Sequence, residues 1–229
     1  MRLPLLSALL LSLSLPALAG RPATTEDAGT IGPGGCELES FVGHYPTDGA
    51  PSVGVKSLQI GCGASDNTQL ALVVQRAHGA GASLNSLTLG GKTRVLDGGE
   101  DGASVALAYG LGAVDGPGSG LQTDVGYVNG VVSWPLAPGF TLHGNLGWTH
   151  SRLARASTTS WALAVEHAAN DRWDLMGELF DNDRTHRPWI QAGVRWNALP
   201  NRLWLDASWG WQTGSPHARA MTLGLRLAF

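Results

Sequence analysis

The chain has 229 residues, with 32 Gly and 9 Trp but only 15 Lys plus Arg, 14% charged residues and a formal charge of −3. No basic cluster is present to neutralise phosphates, which excludes a nucleic-acid-binding surface, and charge this sparse is unlike a soluble exterior. Beyond the first nineteen residues no apolar run approaches the roughly 20 residues of a membrane helix, so a soluble exported protein and a membrane β-barrel are the classes that remain.

Met1 to Ala19 carries one early charge, Arg2, a Leu-rich run from Leu3 to Leu15, and Ala17-Leu18-Ala19 before Gly20. This is the pattern of a secretory signal peptide, residues 1–19, cleaved after Ala19. Its loss leaves 229 − 19 = 210 residues and, with Arg2 gone, a charge of −4. Residues 20–35 are rich in Gly, Pro, Thr and acids without periodicity, and are expected to form a short periplasmic lead-in to a barrel over 36–229. The two cysteines, Cys36 and Cys62, reach an oxidising compartment, where a disulfide is the default. Neither lies in a CxxC pair or beside a His, so zinc and redox signals are both absent.

From Cys36 onward the apolar residues recur at period two in about twelve segments separated by turn residues. The first two, near Cys36 to Tyr45 and Ser52 to Cys62, alternate weakly. Leu70, Leu72 and Val74 then share a face, as do Leu87, Leu89 and Val95, with Lys92 and Arg94 opposite. Val105, Leu107, Tyr109 and Leu111 mark the fifth segment; Val128, Val132 and Trp134 mark the sixth. Further on, Leu142, Leu146 and Trp148 oppose His143 and Asn145, and Leu175 and Leu179 oppose Asp174 and Glu178. Val194 and Trp196 oppose Arg195, Leu205 and Trp209 oppose Asp206, and Leu223 to Phe229 oppose Arg226. An even strand number places both chain ends on one side, and a terminal strand ending in the aromatic Phe229 resembles the terminal signal of bacterial outer-membrane barrels. The expected fold is all-β: an up-and-down antiparallel transmembrane β-barrel of about twelve strands. Pro46 to Pro51, Ala113 to Thr123 and His150 to Thr158 are expected as its modestly longer outer loops, and the short connections imply no folded-in plug.

Aromatic belts form where lipid meets water. Trp134, Phe140, Trp173, Trp196 and Phe229 fall at the expected periplasmic strand ends, and Trp148, Trp161 and Trp211 at the outer ends, which reads as a membrane girdle. The motifs Arg21-Pro22, Glu26-Asp27-Ala28-Gly29-Thr30 and Gly35-Cys36-Glu37-Leu38-Glu39, with a later Cys before Gln69-Leu70, resemble a group of small proteobacterial outer-membrane barrels. That group is loosely similar to the transporters of the phenol-degradation meta-pathway family. The resemblance implies an outer-membrane transport protein of a Gram-negative bacterium and carries over no catalytic residue.

Function is sought in the lumen. Lys92, Arg94, Glu178, Arg195, Asp206 and Arg226 are expected to line it with mixed signs, Asp206 pairing with Arg226. Such a set serves either as a structural ion-pair network or as a constriction for small hydrophilic solutes. The reading is a small passive channel or transport-related barrel, with a closed structural or surface-interaction barrel as the alternative and a lipid-modifying enzyme as a third class. Catalysis would need a nucleophile, a His base and an orienting group; Ser133 and His143 show no lipase spacing. His44, His78, His150, His186 and His217 gather towards the outer rim without metal-ligand spacing, so no metal or cofactor is expected. The expected partners are outer-membrane lipid, lipopolysaccharide, the barrel assembly machinery and small solutes.

Overall fold

The computed structural model describes residues 23–116 and 120–229; the expected signal peptide lies outside them. Among the described residues there are twelve strands: β1 Cys36–Thr47, β2 Ala50–Ser65, β3 Thr68–Gly79, β4 Ala82–Leu96, β5 Ser104–Gly116, β6 Gly120–Ala137, β7 Phe140–Ser151, β8 Ala156–Asn170, β9 Trp173–Asn182, β10 Trp189–Leu199, β11 Leu203–Gln212 and β12 Arg219–Ala228. Each pairs with its sequence neighbours, and β1 pairs antiparallel with β12, so the sheet closes on itself. Closure satisfies the backbone groups that an open edge would leave bare in hydrocarbon.

The alternation read from the sequence sets the two faces. On β9, Trp173, Leu175 and Leu179 are exposed on the outside while Met176 and Glu178 are buried inside. The same outward apolar row runs round the ring, with Leu111 and Leu146 each 66% exposed. Leucines this bare would cost a soluble protein its solubility; against acyl chains they are at home. Much of the inner wall is small: Ala71, Ala77, Ala106, Ala108, Ala162 and Ala164 are all buried there. Side chains of that size leave the bore unfilled.

The outer connections differ from the loops expected. β1 and β2 are joined through two residues, Asp48 and Gly49, and β5 continues through Gly116 while β6 begins at Gly120. The pairs Val114↔Gln122, Asp115↔Leu121 and Gly116↔Gly120 carry that ladder well into the expected loop 113–123. Backbone pairing does not depend on oily side chains, so the strands outrun the apolar band that marked them in the sequence.

Cys36 and Cys62 form a disulfide, 26 residues apart in sequence. They sit directly opposite each other on β1 and β2, with Cα atoms 4.1 Å apart. The bond fastens the first hairpin at the end where the chain enters the barrel.

Candidate functional site

The segment before β1 is not a lead-in outside the barrel. Ala23, Thr25, Glu26 and Ala28 are buried inside it, which corrects the expectation of a barrel without a folded-in plug. The sequence of this strap has no periodicity because it belongs to no regular element; its polar backbone is satisfied by the wall instead. Its root passes Gly63 on β2, where an added Cβ would lie 2.0 Å from the Gly32 oxygen, so only glycine admits the strap there. The amide of Ile31 donates to Gln69 Oε1 of β3 at 2.8 Å. Lys92 of β4 donates to the Asp27 carbonyl at 3.0 Å, with the Asp27 carboxylate 3.7 Å away. The Ala28 amide donates to Ser133 Oγ of β6, and Asn145 of β7 both accepts from the Glu26 amide at 2.7 Å and donates to the Glu26 carbonyl at 2.9 Å.

The far end is the tightest. The Glu178 carboxylate of β9 accepts from the Thr24 amide (2.8 and 3.0 Å), the Thr25 amide (2.9 Å), the Thr25 hydroxyl (2.8 Å) and Gln191 Nε2 of β10 (2.7 Å). Strands β3 and β9 are six apart in a ring of twelve. The strap therefore crosses the bore from one wall to the wall facing it.

Of the residues expected to line the lumen, Lys92 and Glu178 hold the strap. Arg195 reaches Glu166 Oε1 at 3.2 Å and Asp174 Oδ2 at 3.5 Å. Arg94 lies near the end of the barrel that holds the C-terminus, beside Asp97, 3.2 Å away. The register sets Asp206 opposite Arg195 and Gly224, and Arg226 opposite Trp204 and Glu39, so Asp206 and Arg226 are diagonal neighbours on β11 and β12 and not directly opposed. The Arg226 guanidinium lies 4.2 Å over the Trp204 ring and 3.8 Å from Glu37. A slip of two residues keeps the inward parity and changes the residue directly opposite. Trp204 and Trp189 were missed as lumen residues, although Trp204 shares its parity with Asp206; Trp189 stacks on Phe180 with ring centroids 6.0 Å apart. The eight aromatics expected to form a girdle, Trp134, Phe140, Trp148, Trp161, Trp173, Trp196, Trp211 and Phe229, all lie on the exposed outer face. Trp173 stacks on Trp196 and Phe140 on His167.

Ser133, His143 and Glu166 do come together. Ser133 Oγ is 2.8 Å from His143 Nδ1, and His143 Nε2 is 3.7 Å from Glu166 Oε2. As a hydrolytic triad the arrangement is poor, because Ser133 Oγ already accepts from the strap, and Glu166 lies beyond hydrogen-bond reach of His143 and is shared with Arg195. It serves instead as a braced post for Ala28. No group of three or more His, Cys, Asp or Glu among the described residues has metal-site geometry.

Glu26 is fully buried, and among the described residues neither carboxyl oxygen has a hydrogen-bond partner; the same holds for Tyr127 Oη. Burial pushes the Glu26 pKa up to about 7 against the pull of Lys92.

The family model described as "Uncharacterised conserved protein UCP029691" matches residues 8–229. No curated protein matches the sequence. Among solved structures the chain is similar to the KdgM porin, at 11% identity and a TM-score of 0.60, covering 83% of this chain and 99% of the porin. It is similar to the COG4313 outer membrane channel from Pseudomonas putida F1, at 13% identity and TM-score 0.61, covering 89% and 98%. The toluene transporter TbuX of Ralstonia pickettii shares 9% identity at TM-score 0.52, covering 95% and 94%. The fold is that of outer-membrane β-barrels, porins and channels among them.

Proposed function

The chain belongs to the family described as Uncharacterised conserved protein UCP029691 and has the fold of outer-membrane β-barrels, and from that footing we propose that it is a small-solute channel of the Gram-negative outer membrane, closed at rest by its own N-terminal strap. The observation that carries this reading is how the bore is filled. A purely structural barrel fills its interior with side chains from the wall. Here part of the wall is lined by small residues such as Ala106, Ala108, Ala162 and Ala164, and a strap held mainly by hydrogen bonds occupies the space beside them. Hydrogen bonds to a strap can be exchanged for hydrogen bonds to water, whereas packed wall side chains cannot leave. The likeness to a toluene transporter supports the transport reading and leaves the solute to experiment.

The test is conductance in planar bilayers of the refolded mature protein and of a variant lacking residues 23–30. The full chain should show low or brief openings and the deletion variant a large, steady conductance. A deletion variant that inserts, keeps its disulfide and still passes no current favours the closed, structural barrel.

A further inference from the structure

Outside the lumen, one patch of the wall does not fit a purely apolar girdle. His44 on β1, Lys56 on β2, and Arg76 and His78 on β3 all project from the outer face and are exposed. They lie on three consecutive strands in two registered rows: His44↔Gly54↔His78, and Val42↔Lys56↔Arg76. The next outward residues towards the chain ends are Val42, Leu58 and Val74, each about half exposed and part of the lipid-facing band. These four side chains thus stand directly on the upper margin of that band, at the end away from the termini.

Two features of the patch call for an anion. Lys56 and Arg76 are directly opposed across the ladder, a placement in which like charges repel. Among the described residues neither has a carboxylate within ion-pair distance; Arg76 makes only a 3.4 Å contact to Ser83 Oγ, and the nearest acid along that row, Asp115, lies two strands beyond Arg76 past Asn85. The second feature is at Gly54, where the missing side chain leaves room that the His78 ring occupies, so this imidazole lies over β2, the strand next to His44. A guanidinium, an ammonium and two imidazoles thus stand together on three adjoining strands. A chain with only 15 Lys plus Arg has placed two of them side by side facing lipid.

We infer that this patch binds a phosphate group of the outer-leaflet glycolipid, the phosphorylated headgroup of lipopolysaccharide. The inference rests on the outer-membrane reading, because only there does this margin meet the outer leaflet. The acyl chains would lie along Val42, Leu58 and Val74, and the phosphate would bridge Lys56 and Arg76, turning their repulsion into a shared attraction.

The test uses the full mature protein in detergent micelles, with native mass spectrometry counting bound lipid. Wild type should retain diphosphorylated lipid A. The double variant Lys56→Gln/Arg76→Gln should bind it about 30-fold more weakly, as expected for two cations near a headgroup, and wild type should lose a similar factor when the lipid is dephosphorylated. Arg202→Gln, at a turn on the opposite rim, is the control and should bind normally. Inorganic phosphate at millimolar concentration should not displace the lipid; if it does, the patch is a free-anion site. Equal binding by wild type and the double variant, or equal binding of dephosphorylated lipid, overturns the inference. Insertion of both proteins into phosphatidylcholine vesicles is measured in parallel. Failure of wild type to insert there counts against the barrel reading, whereas insertion with unchanged lipid A binding in the double variant counts against the patch alone.

Discussion

The strongest single hold on the strap is Glu178, so Glu178→Ala is the perturbation from which most can be learned. Three strap donors, the Thr24 amide, the Thr25 amide and the Thr25 hydroxyl, lose a charged acceptor at once, and Gln191 loses its partner on the wall. Hydrogen bonds to a charged group contribute about 1.5 to 3 kcal/mol each. Three of them set an upper bound of roughly 5 to 9 kcal/mol, from which water admitted to the vacated carboxylate site recovers a good part. A net loss of about 3 to 4 kcal/mol in strap docking corresponds to a 10²- to 10³-fold rise in the undocked population, at about 1.4 kcal/mol per decade. Amide hydrogen exchange of the refolded protein in micelles reads this directly, because a local opening exchanges the strap without unfolding the barrel. Protection over residues 23–31 should fall by that factor while β5 and β6 keep theirs. Glu178→Gln retains one carbonyl acceptor in the same place and should lose only about a tenth as much protection. An Ala variant whose strap protection stays within a few-fold of wild type would refute the reasoning, as would a loss spread evenly over every strand.

Glu26 makes docking pH-dependent. Its pKa is raised from 4.5 to about 7 when buried, so the docked strap binds the extra proton; docking is strongest below pH 4.5, weakens as pH rises, and has lost on the order of 3 kcal/mol above pH 7. Strap exchange and bilayer conductance should both rise between pH 5 and 8, and Glu26→Gln should make both flat. Replacing Cys36 and Cys62 with Ser opens a loop whose ends are 26 residues apart and should cost about 3 to 4 kcal/mol in urea unfolding from vesicles, with no free thiol titrating in the unreduced wild type. Leu146→Arg places a cation on an outward position that is 66% exposed, near the middle of β7. In a soluble protein such a change is nearly neutral; against a bilayer it should cost about 2 to 4 kcal/mol in folding into vesicles, and a neutral result there would count against lipid contact.

The barrel was legible because a wall with lipid on one side and a polar lumen on the other writes period two into every strand. Even the weak first hairpin was recoverable, since Cys36 and Cys62 bracket it. The strap was not legible by the same means, because Thr24 to Ile31 owe their placement to side chains on five strands, from β3 round to β9, and to no pattern of their own. A signal was nonetheless present in the inward rows: Ala71, Ala77, Ala106, Ala108, Ala162 and Ala164 are too small to fill a bore, and something else must. Polar residues at strand tops ended the alternation early, which made loops of the last pairs of β5 and β6. Parity survives errors of two residues and exact register does not, so the inward face of Asp206 is legible in the sequence while the residue directly across the ladder, Gly224, is not.

The root of the strap also bears on how such a barrel is put together. Pro33 bridges to Gly63, the Gly63 amide donates to the Gly35 carbonyl, and Cys36 exchanges backbone hydrogen bonds with Phe229, so the strap is hinged at the seam where first and last strands meet. A tether lying across a bore cannot be threaded in from a rim as easily as it can be wrapped. A sheet that curls with the strap already on its concave side needs no such threading, and the final zippering of β1 to β12 then shuts the container around its contents. The N-terminal residues are thus cargo as well as chain, loaded by the same motion that removes the last open edge.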